Sequence, residues 1–466
     1  MKRYPLFAIL KSLLIIALPI SAGRILNILA NFIAMMMVAQ FGKTQLAAGF
    51  LAVSTTIPVT TSVLTIFYAI GIRIRYYRGQ NNTPESIGSL VKHGLFLSLI
   101  LAMPAAVLIT YLDTILSKIG LDLELIVLTK DYFYYAGLGV FPLLAMTVLG
   151  QFYIGIGKPW FAMMVEVISF PLTILASWAL IPGHFGLPGS GLAGVSLASL
   201  LVQSVLFIAI LVSTCLNKTN AVYQIFKKPL TLHWRTCQSI ITLGLPIGIQ
   251  FGGELAAMAV AGWLMGYYGV DALAALQITS QYSILIIMPG IGLAQALSLK
   301  ISELYGQQGT HHDPIKTYLH ASLLLLASYI VPVSFLYSTL STTLAEFYLG
   351  RSSLHPDFEQ LIHVFFILAA VFLILDGIRN LLSGALRGLH QSKPATLINL
   401  ASLWLISIPV SVLTVFVFKA NPVALRIGFL SGFVMAVLSL AWYLFAHMRR
   451  VNPSSYPVNL PRTATP

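Results

Sequence analysis

Residues 11–48, KSLLIIALPISAGRILNILANFIAMMMVAQFGKTQLAA, can be laid without a gap on residues 238–275, QSIITLGLPIGIQFGGELAAMAVAGWLMGYYGVDALAA. At this offset of 227 positions Leu18-Pro19-Ile20 falls on Leu245-Pro246-Ile247, Ala30 on Ala257 and Ala34 on Ala261. Gly42 falls on Gly269, Leu46-Ala47-Ala48 on Leu273-Ala274-Ala275, and further on Gly79-Gln80 on Gly306-Gln307. Leucine and alanine recur by chance in apolar helices, but a proline and two glycines in register do not. The chain is therefore a tandem repeat, and each copy opens with an apolar run long enough to cross a bilayer.

Working outward, GIGKP (155–159) resembles GLHQSKP (388–394) at a nearby offset, which extends the repeat. Hydrophobic residues make up 58% of the 466 and charged residues only 9%, against about 25% charged in a soluble domain. Apolar runs near 10–38, 46–72, 90–112, 127–152, 160–182, 191–213, 239–265, 273–298, 315–339, 360–385, 394–418 and 425–447 predict twelve spans. Six spans separate equivalent points, so both halves point the same way through the membrane, as parallel repeats do. The expected fold is an all-α integral membrane protein, with two pseudo-symmetric six-helix lobes around a central cleft. Spans 1–6 form an N-lobe (1–213), a basic linker follows (214–238), spans 7–12 form a C-lobe (239–447), and 448–466 form a disordered cytoplasmic tail.

The net charge of +13 is a matter of topology. With the N-terminus in the cytoplasm, the cytoplasmic segments hold nineteen Lys/Arg, the outer loops six (Lys43, Lys118, Lys130, Arg351, Lys419, Arg426), and Arg24 and Arg379 fall inside spans. This bias puts both termini on the cytoplasmic side and excludes a nucleic-acid partner. The first apolar run follows Lys2 and Arg3 and lacks a small-residue cleavage site, so it reads as a retained helix. Tyr132, Phe133, Tyr134 and Tyr135 open the fourth span, placed for an interfacial aromatic belt. No HExxH, GxSxG or GxxxxGK[ST] motif occurs, and the loops are too short for a catalytic domain. The chain is not expected to be an enzyme, nor to need a cofactor.

Five charges fall inside these spans at least five residues from either end, and each needs a reason to be there: Arg24, Glu166, Glu254, Asp376 and Arg379. Two carboxylates facing one cavity, Glu254 and Asp376, can share a proton or hold a cation. Arg379 follows Asp376 by three residues and shares its helix face. Together the three sum to −1, which suits one coupling proton or one sodium ion. Arg24, Asn27 and Asn31 recur on one helix face directed at the cleft, and the repeat sets Asn27 opposite Glu254. Arg24 and Glu166 could compensate one another if their depths allow. An Arg24 left facing the cavity favours anionic or zwitterionic substrates. Gln277, Gln281 and Tyr282, with Gln295 beyond them, offer neutral hydrogen-bonding groups. Pro19 and Pro246 are hinge candidates, each a missing donor near the start of its lobe.

Several stretches resemble the multidrug and toxic compound extrusion (MATE) family. They are ALPI…QFGKTQLAA (17–48), GIGKPW…IPGHFGLPGSGLAG (155–194), GLPIGIQFGGE (244–254), YYGVDALAALQI (267–278), PGIGLAQALSLKISELYGQ (289–307) and LDGIRNLLSGALRGLHQSKP (375–394). The resemblance covers nearly the whole chain. It implies a monomeric, cation-coupled exporter in the cytoplasmic (inner) membrane of a bacterium, exchanging small amphipathic drugs or toxins for Na+ or H+. It also implies a cation-coupling role for Glu254 and Asp376, without a permanently bound metal. This chain departs from the family in having Ala34 where many members carry a first-helix Asp, Thr173 and Ser177 at polar or acidic positions of the fifth helix, and Arg379 beside Asp376. The competing reading is a flippase for lipids or lipid-linked sugars from the same superfamily, which the two intramembrane arginines favour.

Overall fold

The computed structural model describes residues 6–118, 123–186, 189–226, 232–307, 313–349 and 356–450. Among these are twelve helices long and apolar enough to cross a membrane. The first six are α1 (Leu6–Ala39), α2 (Thr44–Gly79), α3 (Pro84–Thr110), α4 (Leu125–Gly155), α5 (Pro159–Leu180) and α6 (Ala193–Leu216). The second six are α7 (Trp234–Gly266), α8 (Asp271–Gly306), α9 (Pro314–Thr339), α10 (Pro356–Gly388), α11 (Ser392–Phe416) and α12 (Pro422–Arg449). Helices are the form a lipid-embedded chain of this kind requires, since each backbone group must find its partner within the segment. The expected disordered tail, beyond Arg450, lies outside the described residues.

Local chemistry sets the departures from straight helix. A turn at Phe67 (φ −75°, ψ −7°) divides α2, with the Phe67 N–H on the Leu64 carbonyl. In α11 the turn Leu403–Ser407 widens to π geometry just before Pro409, whose ring would otherwise meet the carbonyl four residues back. Pro19 and Pro246, by contrast, sit within helices that continue through them.

Within the N-lobe α3, α4 and α6 pack together and α5 covers α1. In the C-lobe α10 is the central helix, packed against α8, α9 and α12, while α7 lies on α11. The lobes meet along α1 with α8 and along α2 with both α7 and α8.

That contact is one-sided. At the end of the molecule where α1 begins and α2 ends, small residues let backbones touch. A Cβ on Gly248 would strike the Ser62 carbonyl, and one on Gly292 would strike the Ser21 hydroxyl. At the extreme end Gly79 and Gly306, which are equivalents in the repeat, face each other. A Cβ on the first would strike the Glu303 carbonyl, and on the second the Tyr76 carbonyl. Toward the other end Gly42, Gly262, Gly266 and Gly269 have nothing near their missing side chains. The lobes therefore close on a floor at one end and part toward the other.

The structure corrects two readings of the sequence. Arg426 is not in an outer loop: it belongs to α12, is buried, and stacks its guanidinium 5.7 Å from the Phe372 ring centroid. The Tyr132–Tyr135 cluster does not open its span. It lies two turns inside a longer helix, where Tyr132 and Phe133 are buried in the N-lobe and only half the cluster faces outward.

Candidate functional site

Of the intramembrane charges, Glu254, Asp376 and Arg379 form one site, and Arg24 belongs to a second. The first lies wholly inside the C-lobe, between α7, α10 and α11. Arg379 is its hub and is 2% exposed. Its Nε donates to Asp376 Oδ1 at 2.9 Å and its Nη2 to the same oxygen at 2.6 Å. Nη2 also donates to Glu254 Oε2 at 3.0 Å, and Nη1 donates to Glu254 Oε1 and, at 2.8 Å, to Asn399 Oδ1. A guanidinium has five N–H donors, and here all five are engaged by three acceptor residues. Helical spacing explains the arrangement: Asp376 and Arg379, three apart on α10, share a face, and α7 delivers Glu254 to that face.

A surrounding shell fixes the acceptors. Gln250, one turn before Glu254, donates to Glu254 Oε1 at 2.8 Å. Asn399 donates to the Ser383 hydroxyl at 2.9 Å and to the Ala395 carbonyl at 2.7 Å, which turns its own oxygen toward Arg379. Glu254 and Asp376 are 6% and 5% exposed, so this is a buried network in which every Arg379 donor is matched, while the Gln250 Oε1 at its edge is buried without a partner. Asn399 lies on α11 one turn before its π segment, so the widened turn sits directly behind the network.

The second site is a cavity on the floor between the lobes. Arg24, Tyr68, Phe251, Gln295, Asn380 and Arg387 are among the residues lining it. Arg24 Nη2 donates to Tyr68 Oη at 3.0 Å and to Gln295 Oε1 at 2.9 Å, and its guanidinium lies 5.4 Å from the Tyr68 ring centroid. Tyr68 and Gln295 are equivalents at the repeat offset of 227, as are Arg24 and Phe251. The cavity thus straddles the axis that relates the two lobes. Beneath it, Arg75 of α2 forms an ion pair with Glu303 of α8 at 3.0 Å, and Lys300 joins it at 3.4 Å. The Ser302 hydroxyl donates to the Ile72 carbonyl at 2.8 Å. His390, in the turn after α10, packs 4.7 Å from the Tyr76 ring. Burial, and then the positive charge of Arg73, push the His390 ring down to about 3, so it is a neutral part of this floor at physiological pH.

The remaining sequence candidates scatter. Arg24 does not pair with Glu166. The Glu166 side chain lies against Gly23 of α1, beside Asn27, with its Oε2 buried and lacking a hydrogen-bond partner. Arg24, one residue on from Gly23, leaves α1 in another direction, toward the C-lobe. Asn27 and Asn31 are exposed, with Asn31 Nδ2 on the Asn27 carbonyl at 2.9 Å. Tyr282 is no cavity residue: its hydroxyl donates to the Leu344 carbonyl at 3.1 Å, and its ring packs with Phe366 and Tyr337 inside the C-lobe. Gln277 and Gln281 stand higher on α8 and do not line the floor cavity, whereas Gln295 does.

Sequence reasoning missed Arg387. Ending span 10 at 385 left it outside, whereas α10 continues to Gly388. The signal was present: Asp376, Asn380, Ser383 and Arg387 recur at i, i+4, i+7 and i+11, one face of a helix. Arg387 is 8% exposed and belongs with the charges that an account of the interior must include. Adding it to Glu254, Asp376 and Arg379 brings the sum over these four from −1 to zero, and Arg426, also buried in the C-lobe, adds a further positive charge.

The MatE family model matches residues 19–179 and 246–413, one segment in each lobe. The chain is 27% identical over 447 residues to a probable multidrug resistance protein NorM of Oceanobacillus iheyensis, covering 95% of this chain and 98% of that one. It is 24% identical over 443 residues to a protein of the same description from Synechocystis, covering 94% and 95%. Its fold superposes on the outward-facing conformation of a multidrug resistance MATE family transporter of the MOP superfamily. That match has a TM-score of 0.85 at 19% identity, over 95% of this chain and 96% of that one. A MOP superfamily transporter from Pyrococcus furiosus matches with a TM-score of 0.84 at 18% identity, over 95% and 97%. Twelve helices in two repeated lobes, with a family match spanning both, make this chain a member of the MatE family.

Proposed function

We propose that the chain is a secondary exporter of small amphipathic molecules, moving them by alternating access in exchange for Na+ or H+. The observation that carries this reading is the one-sided contact between the lobes. A floor of glycine contacts, the Arg75–Glu303 ion pair and a few hydrogen bonds can part while the opposite ends close, and each lobe remains intact. With the basic segments in the cytoplasm, both termini and the floor lie on the inner side of a bacterial cytoplasmic membrane, and the cleft opens outward. The NorM relatives, described as probable multidrug resistance proteins, support drug-like substrates.

Coupling is assigned to Glu254 and Asp376, and Arg379 sets its terms. A proton or sodium ion arriving at either carboxylate competes with the guanidinium for the same oxygens. Binding therefore loosens the tie between α7 and α10, while an empty site draws them together. One cation suffices, because the carboxylates exceed Arg379 by a single negative charge. Arg379 also holds Asn399 of α11, so the competition is felt by three helices of the C-lobe.

The test is export from cells lacking other drug pumps. Glu254→Gln and Asp376→Asn are each expected to lose resistance at normal membrane expression. Full resistance in both variants would refute the coupling assignment. Reconstituted protein under an imposed sodium or proton gradient then identifies the ion.

A further inference from the structure

We infer that the floor cavity is an anion-binding site built on Arg387, and that the carried molecules include ones bearing a carboxylate or phosphate group. The inference deepens the exporter reading and rests on it for the direction of transport; the binding site stands on its own geometry.

The side chain of Arg387 is the contrast to Arg379. Both are deeply buried on α10, but Arg379 has every donor engaged, whereas Arg387 has its Nε and Nη2 buried without a hydrogen-bond partner. Those two atoms form the edge of a guanidinium that grips a carboxylate or phosphate through parallel bonds. Phe251 supports the group from one face, 5.1 Å from ring centroid to guanidinium carbon, and fixes its plane without satisfying a donor.

The rest of the cavity has the same polarity. The Ser298 hydroxyl also lines it, buried and without a partner. Arg24, held by Tyr68 and Gln295, brings a second positive charge from the N-lobe. Among the described residues no carboxylate lines the cavity, since Glu254 is turned to Arg379 and Gln250. A buried charge is costly unless paired, and here two guanidinium groups and a free hydroxyl line a cavity that none of the described acidic residues lines. An anionic head would complete the set; the cavity of about 20 Å³ has room for such a head alone, and the remainder of a larger ligand needs the walls Ile72, Ile247 and Leu299 to move apart. Because the site draws on both lobes across the floor, opening the floor would dismantle it and release the anion.

The purified full chain in detergent micelles is titrated with 2-naphthoate, inorganic phosphate and tetraphenylphosphonium at fixed ionic strength, following thermal unfolding. The expected result is a rise in Tm with naphthoate, with the apparent affinity weakened by about tenfold or more in Arg387→Gln. Arg387→Lys retains part of the response. Ser298→Ala, which leaves the buried charge in place and guards against misfolding of Arg387→Gln, weakens it to a smaller degree. Nanodiscs of phosphatidylcholine with and without phosphatidylglycerol distinguish the anion's source. Stabilisation by phosphatidylglycerol that depends on Arg387 and competes with naphthoate assigns the site to a lipid headgroup, and its absence to a soluble anion. Equal naphthoate responses in wild type, Arg387→Gln and Ser298→Ala would overturn the site. So would a response to tetraphenylphosphonium alone. Efflux of naphthoate and of ethidium from proteoliposomes separates the two readings. Failure to move either probe counts against the exporter, whereas ethidium export together with Arg387-independent naphthoate binding counts against the anion site alone.

Discussion

Arg379 shows what a single residue does in this interior. Its five donors are consumed by Glu254, Asp376 and Asn399, so removing it strands two carboxylates in a space that excludes water. Breaking a buried ion pair by deleting one partner costs about 3–5 kcal/mol. Arg379→Ala is accordingly expected to unfold at markedly lower temperature, and thermal melts of the purified variant check this. Arg379→Lys should recover only part of the loss, because an ammonium has three donors and no planar fork. The sequence grouped these three charges, Asp376 with Arg379 by the i, i+3 spacing on α10 and Glu254 with Asp376 by the family resemblance. It did not show that Arg379 reaches both acids, since that depends on how close α7 lies to α10. Arg24 and Glu166 meet α1 at one level, since Glu166 lies against Gly23, and they stay unpaired because Arg24 points from the helix toward Tyr68 and Gln295 instead. The missed Arg387 is a boundary matter: hydropathy fades at a helix end before the helix itself stops.

At the scale of elements, the ends of α2 and α8 are among the tightest parts of the contact between the lobes. Gly79 and Gly306 face each other with no room for a side chain. A bulky residue there cannot be relieved by a rotamer change, because the atoms it meets are backbone carbonyls. Gly79→Leu should therefore wedge the floor apart while leaving each lobe folded. The check is a single cysteine at Ser298 in a background without Cys215 and Cys237. It should react with a maleimide applied from the side of the floor in the Gly79→Leu variant, and stay protected otherwise. Pairing these two glycines was within reach of the sequence, since the repeat aligns them. That they touch was not, because a repeat tells which residues are equivalent and says nothing of which are adjacent.

For the whole molecule, the floor also depends on charge across the lobes. Arg75 and Glu303 pair at 3.0 Å, one from each lobe. Arg75→Glu or Glu303→Arg alone sets like charges together and should lower the melting temperature, while the double exchange restores most of it. A double-mutant cycle on thermal unfolding measures the term, expected at about 0.5–3 kcal/mol for a contacting pair. Additivity of the two single effects would show that the pair holds nothing. The twelve spans, the two lobes and their parallel orientation were legible from hydropathy and the offset of 227, because lipid leaves an embedded chain few options. Which end of the cleft is closed was not, since either state of a rocking pair satisfies the same pattern.

The setting of Arg24, between Tyr68 and its repeat equivalent Gln295, has a consequence for how such a molecule can arise. Suppose the two lobes were separate, identical chains assembled as a twofold dimer. In such an interface every residue near the axis meets its own copy, and a guanidinium there would confront a second guanidinium. Joining the halves into one polypeptide removes that obligation. One copy keeps an arginine while the other places phenylalanine, Phe251, at the same station, and the arginine's flanking ligands become a phenol on one side and an amide on the other. Covalent fusion thus permits a lone charge near the centre of an otherwise twofold scaffold, a location that a symmetric pair of identical subunits would have to leave neutral or fill twice.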